Sequence, residues 1–181
     1  ISLSYAQRRS MPENTNWVGN VYHGLPVRAF TPIDTPSDDY VAFLGRIVQP
    51  KGLHIAIEAI KKHNQTSLKP LKLKIAGKHY ADTSSDDYWQ TTIEPELGEH
   101  IEYVGFIKGD RARNDFLGNA KALIIPSLFD EPFGMVMIES LASGTPIIGL
   151  DSGAIPEVIT NKNGILVKKE DSDARTIKNL S

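Results

Sequence analysis

Short apolar runs alternate with helical patterns along most of this chain, and this alternation limits its fold more than any other feature. The runs that have the length and composition of buried strands are residues 40–45, 71–77, 101–106, 122–127, 146–150 and 164–167. The patterns with apolar residues three or four positions apart are residues 53–63, 86–97, 111–120, 134–143 and 154–159. Strand–helix–strand repeats form right-handed crossovers, so the sequence predicts an α/β fold: a doubly wound, mostly parallel, Rossmann-like sheet with helices on both faces.

The residues before the first predicted strand have a different character. Pro, Ser and Asp are frequent around residues 31–40, which is typical of a connecting segment. We therefore expect residues 1–39 to be the tail of a preceding domain and a crossing linker, and residues 40–181 to form one Rossmann-like domain. The chain does not begin with Met and stops as a helical pattern begins, so we expect it to be a piece of a longer protein.

Composition argues against several classes of function. A net charge of -2, with 23% charged and 40% hydrophobic residues, is typical of a globular protein that does not bind nucleic acid nonspecifically. Without cysteine there is no disulfide framework or thiolate metal site, and the five histidines form no metal-ligand pair at helical spacing. No apolar run reaches the ~20 residues of a membrane-spanning helix. We expect a cytoplasmic protein that is not transmembrane.

Ligands of a doubly wound sheet bind beyond the carboxyl ends of its strands, so the loops that follow the strands are the expected site. The loop after the first strand, GRIVQPKG (45–52), contains Arg46 and Lys51. At the rim of the sheet these cations are suited to hold a diphosphate, Arg through paired hydrogen bonds and Lys as a point charge. Ordinary solvated surface charges are the alternative.

Two glutamates, Glu131 and Glu139, stand eight positions apart in a mostly apolar segment. Pro132 biases Glu131 away from helical conformation, so we expect Glu131 in a loop before a helix. Glu139 falls inside that helix, which is apolar on nearly every side and is therefore expected to be buried. Because burial of an unpaired carboxylate is costly, Glu139 needs a partner: an internal basic or backbone group, or the neighbouring hydroxyls of a sugar or ribose. For Glu131 the alternative is a solvated loop carboxylate.

The start of the same helix supplies neutral donors. The backbone N–H groups of Gly134, Met135 and Val136 are expected in its first turn, where the helix dipole favours an anion. The sequence has neither a Walker phosphate-binding loop nor a G-x-G-x-x-G motif. We therefore expect these amides and the two cations to bind the anionic part of a ligand.

Four segments, taken in order, closely resemble the C-terminal domain of retaining glycosyltransferases that have two Rossmann-like domains, the GT-B fold. They are GRIVQPKG, YVGFI, SLFDEPFGMVMIESLASGTPIIGLDSGAIPEV and NGILV. That group includes glycogen synthases, sucrose synthases and bacterial mannosyl- and glucosyltransferases. The resemblance runs from about residue 40 to 168, and SYAQRR and VYHGLP look like the end of that family's first domain and its crossing segment. If the resemblance holds, we expect nearly all of that family's first domain to lie outside this sequence.

The resemblance implies a catalytic role for three residues. Arg46 and Lys51 would bind the diphosphate of a nucleotide-sugar donor and stabilise the leaving nucleotide. Glu131 would contact the hydroxyls of the transferred sugar. The amides at the start of the helix would donate to sugar and phosphate.

The resemblance also implies how the nucleoside is bound. Glu139 would accept the ribose hydroxyls, and the backbone near Phe106 and Ile107 would meet the base. His23 would lie in the crossing segment, and its role is open.

The resemblance thus implies the donor-binding domain of a retaining hexosyltransferase that needs neither a metal ion nor a cofactor. The acceptor is unknown and would be bound by the missing N-terminal domain, so the fragment alone is expected to be inactive, and the full-length enzyme could attach peripherally to a membrane. Two alternatives stay open: a noncatalytic nucleotide-sugar-binding module, and a nucleotide-sugar epimerase on the same fold.

Overall fold

The computed structural model describes residues 1–36, 39–80, 84–170 and 172–181. Its centre is a six-stranded, fully parallel sheet with the order β3-β2-β1-β4-β5-β6. The strands are β1 (Tyr40–Arg46), β2 (Lys72–Lys78), β3 (Ile101–Gly105), β4 (Ala122–Ile125), β5 (Ile147–Leu150) and β6 (Gly164–Val167). The predicted α/β fold with a doubly wound sheet is confirmed.

Helices connect the strands and cover both faces of the sheet. The α-helices are α1 (Tyr5–Arg8), α2 (Leu53–Thr66), α3 (Ser84–Tyr88), α4 (Asp110–Gly118), α5 (Met135–Ala142), α6 (Ile155–Val158) and α7 (Asp173–Leu180). The other helical turns are a π turn, Trp89–Ile93, and the 3-10 turns Val27–Ala29, Gln49–Lys51 and Glu94–Glu96. The helix predicted over residues 86–97 is therefore three short pieces rather than one element.

Strand β1 shows how the sequence builds two apolar layers. Successive side chains of a strand point to opposite faces, so Val41 and Phe43 pack into one cluster and Tyr40 and Ala42 into the other. The first cluster includes α2, and the second includes α4 and α6. Burial on both faces explains why the strands are continuous apolar runs.

Helix α5 is less buried than the sequence predicts. Met137, Glu139 and Ser140 are buried, whereas Met135 is 37% exposed. The expectation of burial on nearly every side was wrong because one side of this eight-residue helix packs inward, while Met135 and Val136 border an open cleft.

The residues before β1 lie against the domain. The carboxylate of Glu157 in α6 accepts hydrogen bonds from the N–H groups of Tyr5 (2.9 Å) and Ala6 (2.6 Å). Farther along, the Ile33 N–H donates to the Ser143 carbonyl beyond α5 (3.0 Å). Residues 37 and 38 of the predicted linker, and residues 81–83 after β2, lie outside the described residues. The division of the chain at residue 40 stays a prediction.

Candidate functional site

Two adjoining clefts lie where the order of the strands reverses. Strands β1 and β4 are neighbours, but the chain leaves β1 toward β2 and leaves β4 toward β5, so the loops diverge at their carboxyl ends. The first cleft, of about 200 Å³, is lined by the ends of β1 and β4, the loop after β4 and the start of α5. The second cleft, of about 440 Å³, is lined by the ends of β1 and β2, the segment after β3 and the outer side of α5.

All nine predicted site residues line these clefts. Residues of the first cleft are Arg46, Lys51, Glu131, Gly134, Met135 and Val136. Residues of the second cleft are Arg46, Phe106, Ile107, Met135, Val136 and Glu139. Arg46 and the start of α5 form the wall that the clefts share. The structure thus brings together residues that are up to 93 positions apart, and their roles in binding or catalysis stay predictions.

Glu131 is buried and engaged on one side of its carboxylate. Only 5% of the residue is exposed, so the alternative of a solvated loop carboxylate was wrong. Its Oε1 forms an ion pair with Lys51 Nζ and accepts a hydrogen bond from Ser127 Oγ (2.6 Å). Lys51 Nζ also lies 4.6 Å from the centroid of the Phe129 ring. Among the described residues, none donates to Glu131 Oε2.

The loop after β5 fixes the backbone of Glu131. Ala154 N–H donates to the Glu131 carbonyl (2.8 Å), and Gly153 N–H and Ser152 Oγ donate to Asp130 Oδ1 (3.1 and 3.3 Å). Gly153 has a φ of +55°, and a Cβ there would collide with the backbone of Glu131. Sequence reasoning missed this support because its members are about 20 residues from Glu131 along the chain.

The position of Lys51 beside Glu131 depends on another glycine. Gly52 has a φ of +69° at the end of the 3-10 turn, and a Cβ there would collide with the Pro126 carbonyl oxygen after β4. Leu128 N–H also donates to the Pro50 carbonyl (2.8 Å). This close approach of the two loops brings Lys51 to Glu131.

Arg46 has an exposed guanidinium at the end of β1. It makes no hydrogen bond or ion pair with the residues that the structure describes. Its partner in the strand register is Lys78, which lines the second cleft with Tyr80, and Lys78 Nζ lies 5.3 Å from the Tyr80 ring centroid. Lys78 is a cation that sequence reasoning missed, although it ends β2 as Arg46 ends β1.

Glu139 has an internal partner that the sequence did not identify. The residue is 6% exposed, and its Oε1 lies 3.4 Å from Arg113 Nη2. Arg113 Nη2 also lies 2.5 Å from Asp110 Oδ1. Burial raises the pKa of the Glu139 carboxyl, the charge of Arg113 opposes this, and Asp110 adds to the increase. Of the two partners that the sequence left open, the internal basic group is present in the structure.

The start of α5 presents backbone donors at the wall of the first cleft, and these have no backbone acceptor among the described residues. Gly134 has a φ of +84°, and a Cβ there would lie 2.8 Å from Met137 Cε. Met137 N–H donates to the Gly134 carbonyl (3.0 Å). The amides of Gly134, Met135 and Val136 come before this first bond, so no earlier turn of the helix supplies an acceptor for them. They can bind an anion or a hydroxyl.

Two residues of the predicted crossing segment pack against the loop of Glu131 from outside the clefts. The ring centroids of Tyr22 and His23 lie 5.8 and 5.3 Å from that of Phe133. His23 does not line either cleft. Within the described part of the chain, no three His, Asp or Glu side chains are placed to hold a metal ion. The same residues include no helix that is long and apolar enough to cross a membrane.

Comparison with known proteins gives the family. The family model described as glycosyl transferases group 1 matches residues 29–179. The chain belongs to this family. An uncharacterized glycosyltransferase of Methanocaldococcus jannaschii is 31% identical over 140 residues, which are 74% of this chain and 33% of that protein. The group 1 glycosyltransferase chain described here thus spans about a third of that relative.

Solved structures share the fold of this group 1 glycosyltransferase chain. Sucrose-phosphate synthase from Thermosynechococcus elongatus superposes with a TM-score of 0.79 at 22% identity, over 99% of this chain and 47% of that one. Anabaena Alr3699/HepE, solved in complex with UDP-glucose, superposes with a TM-score of 0.69 at 18% identity, over 88% of this chain and 46% of that one. The family and the resemblance found in the sequence are thereby confirmed.

Proposed function

We propose that this chain is the donor-binding part of a retaining glycosyltransferase, which moves a sugar from a nucleoside diphosphate sugar to an acceptor. The observation that carries the proposal is the order of groups along the two clefts: Glu131, then Arg46 and the start of α5, then Glu139. A nucleotide sugar has hydroxyls at both ends and two negative phosphates between them. The complex of the Anabaena neighbour with UDP-glucose supports the same class of ligand.

In this proposal the transferred sugar lies in the first cleft. Lys51 and Ser127 engage Oε1 of Glu131, which leaves Oε2 to accept hydrogen bonds from sugar hydroxyls. Because the Glu131 backbone is fixed by Ala154, the carboxylate can hold the sugar in one orientation for reaction. Glu131 is therefore proposed as a catalytic residue.

The diphosphate is proposed to lie at the shared wall. When the bond between the sugar and the diphosphate breaks, negative charge grows on the leaving phosphate. Arg46, Lys51 and the amides of Gly134, Met135 and Val136 stabilise that charge. These groups take the place of a metal ion, so the proposed reaction is metal-independent and uses no cofactor. Lys51 has three donors and can serve Glu131 and a phosphate together.

The nucleoside is proposed to lie in the second cleft. The Glu139 carboxylate accepts hydrogen bonds from the ribose hydroxyls, and the base lies against the segment of Phe106 and Ile107. Exposure supports this assignment of the base, since Phe106 is 66% exposed and lacks cover from the described chain.

We further propose that residues 1–39 are the end of a first domain and the crossing linker, and that residues 40–181 are the donor-binding domain. The acceptor would be bound by a first domain that this sequence does not contain, so the chain alone would bind donor without transferring sugar. A cytoplasmic location and peripheral attachment of the full-length enzyme to a membrane stay predictions.

A melting-temperature screen with UDP, GDP, ADP and their sugars tests the proposal. Binding at 100 times the dissociation constant stabilises the native state by about 2.7 kcal/mol. For a domain of this size that raises the melting temperature by roughly 5–10 °C. No shift with any of these ligands at millimolar concentration, with well-folded protein, would contradict donor binding.

A further inference from the structure

Arg113 lies beside the proposed nucleoside site, and only some of its hydrogen-bond donors have an acceptor. It lies in the first half of α4 and lines the second cleft together with Glu139 of α5. Its Nε is buried and has no hydrogen-bond partner among the described residues. A guanidinium has five N–H donors, and burial of any one of these donors without an acceptor costs free energy of folding. A purely structural ion pair does not explain why this group is placed against the cleft.

The two acids near Arg113 are bound unequally. Asp110 Oδ1 is 2.5 Å from Nη2, a direct hydrogen bond within the first turn of α4. Glu139 Oε1 is 3.4 Å from the same nitrogen, which is longer than the ~2.7–2.9 Å of a charge-assisted hydrogen bond. Arg113 therefore acts on Glu139 mainly through its charge and leaves the carboxylate able to accept bonds from a ligand.

Few other described groups can set the charge state of Glu139. Asp110 is acidic and disfavours ionisation, and burial acts in the same direction. Across the second cleft stand Arg46, Lys78 and Tyr80. Strand β5, which also packs against α5, has the sequence IIGL and carries no titratable side chain.

We infer that Arg113 is a positioning residue of the nucleotide site: it keeps the Glu139 carboxylate ionised and held toward the cleft, where it receives the ribose hydroxyls. The inference rests on the proposed function, because it assumes a nucleotide in the second cleft. An ionised carboxylate accepts hydrogen bonds on both oxygens, whereas a protonated one loses part of that capacity. Loss of Arg113 therefore weakens ribose binding, and more strongly at lower pH.

The experiment is calorimetric titration of the chain with UDP, GDP and ADP at about pH 8 and about pH 6, continuing with the diphosphate that binds best and its 2′,3′-dideoxy analogue. We compare Arg113→Gln with wild type, because their ratio of dissociation constants cancels the titration of the ligand's own phosphate. We expect a ratio of about 3 at pH 8 that rises to about 10 or more at pH 6. For the dideoxy analogue we expect a ratio close to one at both pH values.

Matched variants separate this role from a structural one. Arg111→Gln removes the same charge from an exposed position two residues away and is expected to bind like wild type. Arg113→Lys keeps the charge on a shorter side chain, so the same trend with a smaller amplitude is expected, and it replaces the Gln variant if that one does not fold. In an Arg113→Gln, Glu139→Gln double variant the pH dependence relative to Glu139→Gln alone should vanish, because no carboxylate remains to titrate.

The possible outcomes are distinct. If wild type binds none of the three diphosphates, the proposed function fails and this inference fails with it. If wild type binds and the ratio for Arg113→Gln stays at one, only the role of Arg113 is wrong. A ratio above one that is independent of pH and equal for the dideoxy analogue would also overturn it, since the loss would then not pass through Glu139 and the ribose.

Discussion

Glu131 and Glu139 are almost equally buried, at 5% and 6% exposure, yet their surroundings differ. Glu131 has a lysine and a serine on one oxygen and a backbone tied to the loop after β5. Glu139 has one arginine at 3.4 Å, and its pKa is raised. Burial alone therefore does not define what a carboxylate can do. The first is fixed in position by two close donors, whereas the second has a longer contact with a single cation.

The largest expected effect is on Glu131. In the full-length enzyme, Glu131→Ala should lower kcat roughly a hundredfold or more, because the sugar loses the group that orients it. The variant should also be less stable, by roughly 3 kcal/mol, since Lys51 loses its partner inside the site. Steady-state kinetics at saturating donor and denaturant unfolding measure the two effects. Normal turnover at saturating donor would show that Glu131 is not catalytic.

The two cations at the shared wall come next. Arg46→Ala and Lys51→Ala should each weaken binding of a nucleoside diphosphate about ten- to a hundredfold, through the loss of roughly 1.5–3 kcal/mol of charge-assisted contact. Binding of the nucleoside alone should change little. Calorimetry measures both, with Lys162→Ala, an exposed lysine in the turn before β6, as the matched control. Equal losses for nucleoside and diphosphate would contradict the assignment.

Substitution of Gly153 tests whether the backbone contacts of Glu131 matter for stability and turnover. Gly153→Ala combines a positive φ with a collision against the Glu131 backbone, so we expect roughly 1–3 kcal/mol of destabilisation and lower turnover in the full-length enzyme. Gly98→Ala is the control, because an added Cβ there meets no atom within 4 Å. Nucleoside binding in the second cleft should persist in both variants. Unchanged stability and turnover in Gly153→Ala would show that the loop after β5 does not fix Glu131, which is how the two glutamates are said to differ.

The smallest effect is expected from substitution of Glu139. Unlike substitution of Glu131, it should stabilise the ligand-free chain. A carboxyl whose pKa is raised in the folded state is destabilised when ionised, so stability falls as the pH rises from the unfolded pKa through the folded one. Glu139→Gln should therefore stabilise the ligand-free chain at neutral pH, by up to about 1 kcal/mol, and this gain should disappear in acid. Denaturant unfolding across that pH range measures it. Loss of stability at neutral pH would mean that the ion pair with Arg113 outweighs burial.

The sequence predicted the strands well because each is a short apolar run bounded by turn residues. It placed the end of β4 too late, at residue 127, since Pro126 and Ser127 already belong to the loop that meets Gly52. It also predicted too much burial for α5, because apolar residues at a cleft look the same in sequence as apolar residues in a core.

The site itself was predicted only as far as local motifs reach. Arg46, Lys51 and the two glutamates stand out by their positions beside strand ends and a helix start. Arg113 did not, because its contact with Glu139 joins residues 26 positions apart and requires the packing of α4 against α5. Contacts of this kind depend on the tertiary arrangement and carry no signal in a single sequence.

A crystal structure of this chain with the diphosphate that gives the largest melting-temperature shift tests the central claim most directly. The account predicts phosphate oxygens within hydrogen-bond distance of Arg46 and the start of α5, and ribose hydroxyls within the same distance of Glu139. A nucleotide bound outside the two clefts, or bound in them with its ribose beside Glu131, would contradict the account.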